Sequence, residues 1–401
     1  MTLFTKPIND IVYDDVISFC QQGLGEGINL DYKKDFPQNE GLEKTIAAFA
    51  NTSGGIIIIG VEDKDSKPKL PFEGIEFRDK LEERVWQIIL ANIYPPVLPE
   101  IRICPQKENK TFIVIRVAQS NETPHALFNN TSTFIRTGNI NKPEELATME
   151  QIEWLKIRRK KSEDLRESLH ARAEERYQNI CESKKAKIEF GELTLSISPL
   201  YPQKPLFTVE EIEDLLANIK VTNRNSSEFP PPQTLMNLQP VQDGMGGFYF
   251  QKSSNFVMHL EVNKFGLVFY KLDIGQEEIN KEKTVKQVYI SWILSVLSLA
   301  LRAVFKLYKK VGFWGLVQVA VSVDKILGIR VTLSPSDYGR EYYQENHSDK
   351  QLSWEFVFSV SQFDDSSFLK NKLVEFGKDV AWSLGFKTNE NTIEQYLGQI
   401  P

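Results

Sequence analysis

The sequence predicts an α/β (α+β) chain in two parts, a mixed-sheet N-terminal domain followed by a second α+β domain. Three observations predict it. An apolar face of helical period at Leu42, Ile46, Phe49 and Ala50 runs into the β-branched stretch Ile56–Val61, which reads as a helix feeding a strand covered on both sides. Residues 162–187 are charged, mixed in sign and poor in large apolar side chains, so they are expected to form an exposed helical link. On both sides of this link helix-like and strand-like segments alternate, and 401 residues suit two domains. The expected boundaries are 1–161, 162–187 and 188–401.

Taken in order, Asn9–Gln22 has roughly helical apolar spacing, and Gly23, Gly25 and Gly27 end it. Leu30–Lys34 reads as a strand, Leu42–Ala50 as a helix capped by Gly54, and Ile56–Val61 as the buried strand. Arg78–Asn92 reads as a helix, and Glu100–Cys104, Thr111–Val117 and Thr133–Arg136 as strands. Thr148 with Gln151 makes a capping box that opens a helix ending in the basic run Lys156–Lys161. In the second half a strand is expected at Leu193–Ile197 and a second capping box at Thr208 and Glu211. A turn is expected at Gly244–Gly247, then a hairpin of Phe256–Val262 with Gly266–Leu272. A long helix at Lys283–Lys309, strands at Leu316–Val323, Ile329–Leu333 and Leu352–Val360, and a closing helix at Phe368–Leu384 complete the chain.

The bulk properties bound the function. With a net charge of -6, nucleic-acid binding has to come from a local basic surface and not from the global field. Cys20, Cys104 and Cys181 match no zinc spacing and read as reduced thiols of a cytoplasmic protein. No signal peptide is visible, and the apolar window Ile290–Leu301, broken by Arg302 and Lys306, reads as a buried helix. The glycines of NTSGG lie between a helix and a following strand, the reverse of a phosphate-cradling loop, so ATP binding is poorly supported.

The chemistry concentrates between Glu26 and Asp63. Asp31 and Lys33, two apart in a strand, point the same way. Glu26 can swing over the same edge through Gly27, and Asp63 leaves the end of the buried strand. Three carboxylates beside a lysine suit a divalent cation held against a phosphate oxygen. By spacing alone Glu62 and Asp65 serve as well as Asp63, and all of these are also ordinary solvated strand-end charges. The basic run Arg158, Arg159, Lys160 and Lys161 reads equally as a phosphate contact and as a solvated helix end. His125, in TPHAL, is a candidate general base. His170, His259 and His347 give no ligand spacing.

The segments EGINLDYKKDF, IAAFANTSGGIIIIGVEDKD, TPHALF and STFIRTGN, followed by a helix with a basic end, resemble the Schlafen-type AlbA-like domain over about residues 15–160. The resemblance implies an α/β nucleic-acid-binding module. In nuclease members of that family it implies three acids that hold a metal and cleave transfer or ribosomal RNA. Matched by motif, the acids fall on Glu26, Asp31 and Asp63 and the lysine on Lys33. Asp31 stands where the family has glutamate, and Glu62 replaces an aspartate. The zinc motif and helicase portion of vertebrate members are absent. The expected function is a Mg²⁺- or Mn²⁺-dependent endoribonuclease on structured RNA such as tRNA, in antiviral (phage) defence. Lys33, Lys34, Arg136, Arg158, Arg159, Lys160 and Lys161 are expected to meet the RNA. The alternative is a non-catalytic nucleic-acid-binding regulator. Because related chains carry two such lobes and this one carries one, a homodimer or higher even oligomer is expected, with Ile290–Leu301 and Phe313-Trp314 as one conceivable apolar contact and a buried core as their other use.

Overall fold

A computed structural model describes residues 3–4, 6–36, 41–129, 131–137, 143–223, 227–280, 283–313, 315–333, 350–360, 366–385 and 390–397. Trp314 and His347 lie outside them. The chain divides into two compact units, Met1–Ser162 and Glu163–Pro401.

In the first unit the order is α1 (Tyr13–Cys20), β1 (Leu30–Lys33), α2 (Leu42–Asn51), β2 (Gly55–Ile59), a hairpin of β3 (Asp63–Lys64) and β4 (Lys67–Pro68), β5 (Ile75–Glu76), α3 (Leu81–Asn92), β6 (Ile93–Tyr94), β7 (Glu100–Ile103), β8 (Lys110–Thr111), β9 (Ile113–Val117), β10 (Ala126–Leu127), β11 (Phe134–Arg136), β12 (Glu144–Leu146) and the start of α4 (Met149–Lys184). The main sheet runs β1-β2-β9-β7, with β1 and β2 parallel and the other pairs antiparallel. Parallel neighbours need a crossover, and α2 supplies it.

Both faces of this sheet are covered, which is why β2 is four isoleucines in a row. Ile57 and Ile59 pack with Ile113 and Ile115 under Leu42, Ile46 and Phe49 of α2 and Val85 and Ile89 of α3. Ile56 and Ile58 face the other way with Leu30, Tyr32 and Val114, against Val16, Phe19 and Cys20 of α1. The alternation leaves Asp31 and Lys33 on the α2 side. The three cysteines are free and buried.

α4 departs from the expected exposed link. From Leu169 on it carries a stripe at Leu169, Ala173, Tyr177 and Cys181, four apart, which is buried against Val257, Leu267 and Phe269 of the second unit. Four apolar residues among many charges were too few to reveal the stripe, and some of those charges are themselves paired in the structure. Arg176 Nε donates to the buried Glu261 at 2.9 Å, and Glu174 accepts from Lys271 Nζ at 2.7 Å.

The second unit adds β13 (Glu192–Pro199), α5 (Ile212–Asn218), β14 (Val221–Thr222), β15 (Glu228–Phe229), α6 (Pro232–Leu235), β16 (Leu238–Val241), β17 (Gly244–Gln251), β18 (Phe256–Asn263), β19 (Val268–Asp273), β20 (Gly275–Asn280), β21 (Lys283–Tyr289), α7 (Ile290–Lys310), β22 (Leu316–Asp324), β23 (Arg330–Thr332), β24 (Gln351–Ser359), α8 (Ser366–Ser383) and α9 (Glu390–Leu397). Its large sheet runs β16-β17-β18-β19-β13-β22-β24, antiparallel throughout.

Two expectations fail here. The helix expected from Lys283 begins at Ile290. The preceding residues form β21, whose Thr284, Val285, Val288 and Tyr289 favour a strand and which pairs with β20 and β23. The expected glycine-rich turn is the start of β17. There Gly247 is needed because a Cβ would strike the carbonyl of Thr234 on α6. α7 is long and apolar enough to cross a bilayer, but most of its apolar residues are buried in the unit's own core, so it offers little apolar surface to a second copy.

Candidate functional site

The four sequence segments that stand out in the first unit are joined by one hydrogen-bond network. Asn51, at the end of α2, is buried and reaches in two directions. Its Nδ2 donates to the carbonyls of His125 (2.8 Å) and Phe134 (2.9 Å), and its Oδ1 accepts the His125 N–H at 2.8 Å. Next to it, Thr52 Oγ1 accepts the backbone N–H of Arg136 at 2.8 Å. β11 is thereby fastened to the helix end, and the Arg136 side chain is sent towards β1. Its guanidinium lies 4.5 Å from the centroid of the Phe49 ring.

Arg136 is fully buried and saturated. It donates to the carbonyls of Gly27 and Leu30, to Asp31 Oδ2 at 2.9 Å and to Glu144 Oε1 at 2.8 Å. Glu144 also accepts from Thr45 Oγ1 at 2.7 Å. The other Asp31 oxygen sits 2.6 Å from Lys33 Nζ. Asp31 and Lys33 therefore meet as their spacing implies. Burial works against the Lys33 charge, but Asp31, Glu144 and Glu26 outweigh it and hold the ammonium above its usual value.

Glu26 and Asp63 approach the same edge from two loops. Glu26 Oε1 accepts the Tyr32 N–H at 2.7 Å, and its own N–H donates to Ser66 O at 2.6 Å, which ties it to the hairpin that carries Asp63. Asp63 is exposed. Glu62 is held between Lys34 (3.2 Å) and Lys69 (3.0 Å) at the surface. A divalent cation needs carboxylate oxygens with free lone pairs. Here Asp31 Oδ2 accepts from Arg136, while Oδ1 faces Lys33 at 2.6 Å but has no hydrogen-bond donor in place, and among the described residues no three His, Cys, Asp or Glu side chains form a group that could hold a metal ion. As placed, Glu26, Asp31 and Asp63 do not form a ready-made site for Mg²⁺ or Mn²⁺.

The Glu26 carboxyl is pushed up to about 7, first by burial and then by the charges of Asp31 and Asp63, against the Tyr32 N–H and Lys33. The folded chain then keeps a proton that the unfolded chain has released, so stability falls as pH rises from about 4.5 to about 7. Glu122, also pushed up to about 7 by burial, contributes with the same sign. Thermal melting across this window is expected to show a shallower fall for Glu26→Gln than for the wild-type chain, and identical pH profiles would contradict it.

The remaining candidates divide. His125 is buried, with Nδ1 2.7 Å from Pro95 O, and burial first of all pushes its pKa down to about 4, so it serves the fold and not proton transfer. Arg158 is not a free phosphate ligand: its NH1 donates to Asn51 O (3.1 Å) and Ser120 O (3.3 Å), and burial lowers its pKa. Arg136 is likewise internal. Arg159 is half-buried, while Lys34, Lys160 and Lys161 are exposed. Two residues escaped the sequence reading. Glu144 is the second acid on Arg136, which its place in KPEEL gave no means of finding. Trp154 is a large exposed aromatic beside a basic run, a pattern visible in the sequence.

The family model described as Schlafen, AlbA_2 matches residues 26–145. Two solved structures are similar. The N-terminal domain of a RecG-related protein from Nitrosomonas europaea is 16% identical with a TM-score of 0.28, over 35% of this chain and 95% of that one. The DIP2311 protein from Corynebacterium diphtheriae is 22% identical with a TM-score of 0.21, over 32% of this chain and 25% of that one. No curated protein matches the chain. The matched span begins at Glu26 and contains the whole network from Gly27 to Glu144, and residues 26–145 are a Schlafen AlbA_2 domain.

Proposed function

We propose that the N-terminal unit is a nucleic-acid-binding module that engages structured RNA, such as transfer or ribosomal RNA, in the cytoplasm. The family match supports the ligand class. The observation that supports binding over hydrolysis is the state of Asp31, whose Oδ2 accepts from Arg136 and whose Oδ1 has Lys33 as its counter-ion. A carboxylate so engaged organises the backbone of the Gly27–Leu30 loop instead of offering ligands. A homodimer or higher even oligomer belongs to the same proposal, since shape readout of RNA draws on contacts spread over a wide surface.

The test is binding of labelled tRNA by the full chain in chelator. Affinity is expected to fall steeply with salt, because each neutralised phosphate releases counterions. Lys160→Ala/Lys161→Ala is expected to reduce the salt slope by about one or two. No binding in chelator at low salt would remove the reading.

One observation favours a second reading, a metal-dependent endoribonuclease acting in phage defence. The Glu26 and Asp63 loops are bonded to each other at the edge where Asp31 lies, so three acids share one neighbourhood. Incubation with total RNA, with and without Mn²⁺, beside Asp63→Ala, separates the two: only the nuclease yields metal-dependent fragments that the variant does not.

A further inference from the structure

We propose that Trp154 is a stacking platform for an unpaired nucleic-acid base, with Lys161 contacting the strand's phosphates. The inference rests on the RNA-binding reading and adds to it the residue and the mode of contact. Trp154 is 58% exposed although it stands on a helix of the folded unit. The Arg158 guanidinium lies 4.4 Å from its ring centroid. Arg158 is in turn pinned by the carbonyls of Asn51 and Ser120, so it does not follow the solvent-exposed side chains around it. A fixed cation over one face holds the indole in place and leaves the opposite face to solvent. An aromatic ring held this way loses little freedom on meeting a second flat ring.

Charge along α4 selects the partner. Lys161 is two turns further along the same helix face, about 10 Å on along the axis, exposed and without an ion pair among the described residues. Lys160 beside it is also exposed. On the N-terminal side stand Glu150 and Glu153, the latter paired with Lys156 at 2.7 Å. A strand stacked on Trp154 would run its phosphates away from Glu150 and Glu153 and towards Lys161, the last cation before Glu163 and Asp164. A purely apolar partner would gain from the exposed Ile157 but would gain nothing from the cationic turn that follows.

Stacking of this kind is sequence-tolerant, because every base has a π face. The experiment is fluorescence anisotropy in chelator with the full chain, comparing a labelled single-stranded oligoadenylate with a matched strand of abasic spacers. Trp154→Ala is expected to weaken oligoadenylate binding by about 5- to 150-fold. Trp154→Phe is expected to retain most of it, and the abasic strand should bind wild type and Trp154→Ala alike. Equal oligoadenylate affinity in Trp154→Ala, or an equal loss on the abasic strand, overturns the stacking role while leaving RNA binding intact. A wild-type chain that binds neither strand overturns the stacking role, and the RNA-binding reading falls with it only where labelled tRNA also goes unbound. A change in particle size of Trp154→Ala by light scattering, with losses on both strands, would assign the ring to self-association instead.

Discussion

Replacing Arg136 with methionine is expected to destabilise the N-terminal unit by about 3–5 kcal/mol, a large part of what a domain has. The guanidinium and the Asp31 carboxyl are both out of contact with solvent. Removing the arginine leaves Asp31 with only Lys33, leaves Glu144 with the Thr45 hydroxyl and a distant Lys44 at 4.0 Å, and strands the carbonyl of Gly27, while Leu30 O keeps the Gly27 N–H at 3.0 Å. Uncompensated buried charge is the main cost, so taking away the acid as well should recover part of it. Urea denaturation followed by circular dichroism would show Asp31→Asn/Arg136→Met above Arg136→Met alone. A loss under about 1 kcal/mol in the single variant would mean that water reaches the pair. The same argument changes how Asp31 variants are read. Asp31→Ala should itself lower stability, so lost RNA activity in that variant does not diagnose a metal ligand. Asp63, exposed on its hairpin, is the cleaner probe.

Much of the first unit was legible because its signals are local. The period of α2 and the isoleucines of β2 specify the parallel pair, and a two-residue spacing puts Asp31 and Lys33 on one face. The first capping box forms with the spacing that suggested it: Thr148 N–H donates to Gln151 Oε1 at 2.8 Å and Gln151 N–H to Thr148 Oγ1 at 3.3 Å. The second does not, because the Thr208 N–H and hydroxyl both donate to Glu211 Oε2 and the helix begins only at Ile212, with Glu211 as its N-cap. What sequence did not reveal depends on distant partners. Arg136 and Asp31 are 105 positions apart, and nothing in FIRTG says that this arginine is internal. A basic residue looks the same in a sequence whether it meets phosphate or a buried carboxylate. The stripe in α4 is visible as apolar spacing only once the sheet beneath it is known, and β21 reads as helix because it runs without a break into α7.

Gly54→Ala is expected to destabilise the same unit by about 2–6 kcal/mol, the sum of backbone strain and forced displacement of neighbours. Gly54 has φ +75°, a conformation a Cβ disfavours, and that Cβ would lie 2.6 Å from Val117 O and 2.8 Å from Gln119 N. Both neighbours are backbone atoms at the end of β9, so neither can turn aside as a side chain would. The turn they crowd is the one that places Asn51 and Thr52, and with them β11 and Arg136. Gly23→Ala provides the control, since Gly23 has φ +66° but nothing within 4 Å of the added carbon. Strain alone should cost it about 1 kcal/mol, partly offset by a less flexible unfolded chain. Denaturant midpoints of the two variants, measured side by side, separate conformation from contact. If Gly54→Ala loses no more than Gly23→Ala, the close approach of the turn to β9 is not what the first glycine of NTSGG is there to permit, and φ alone explains it.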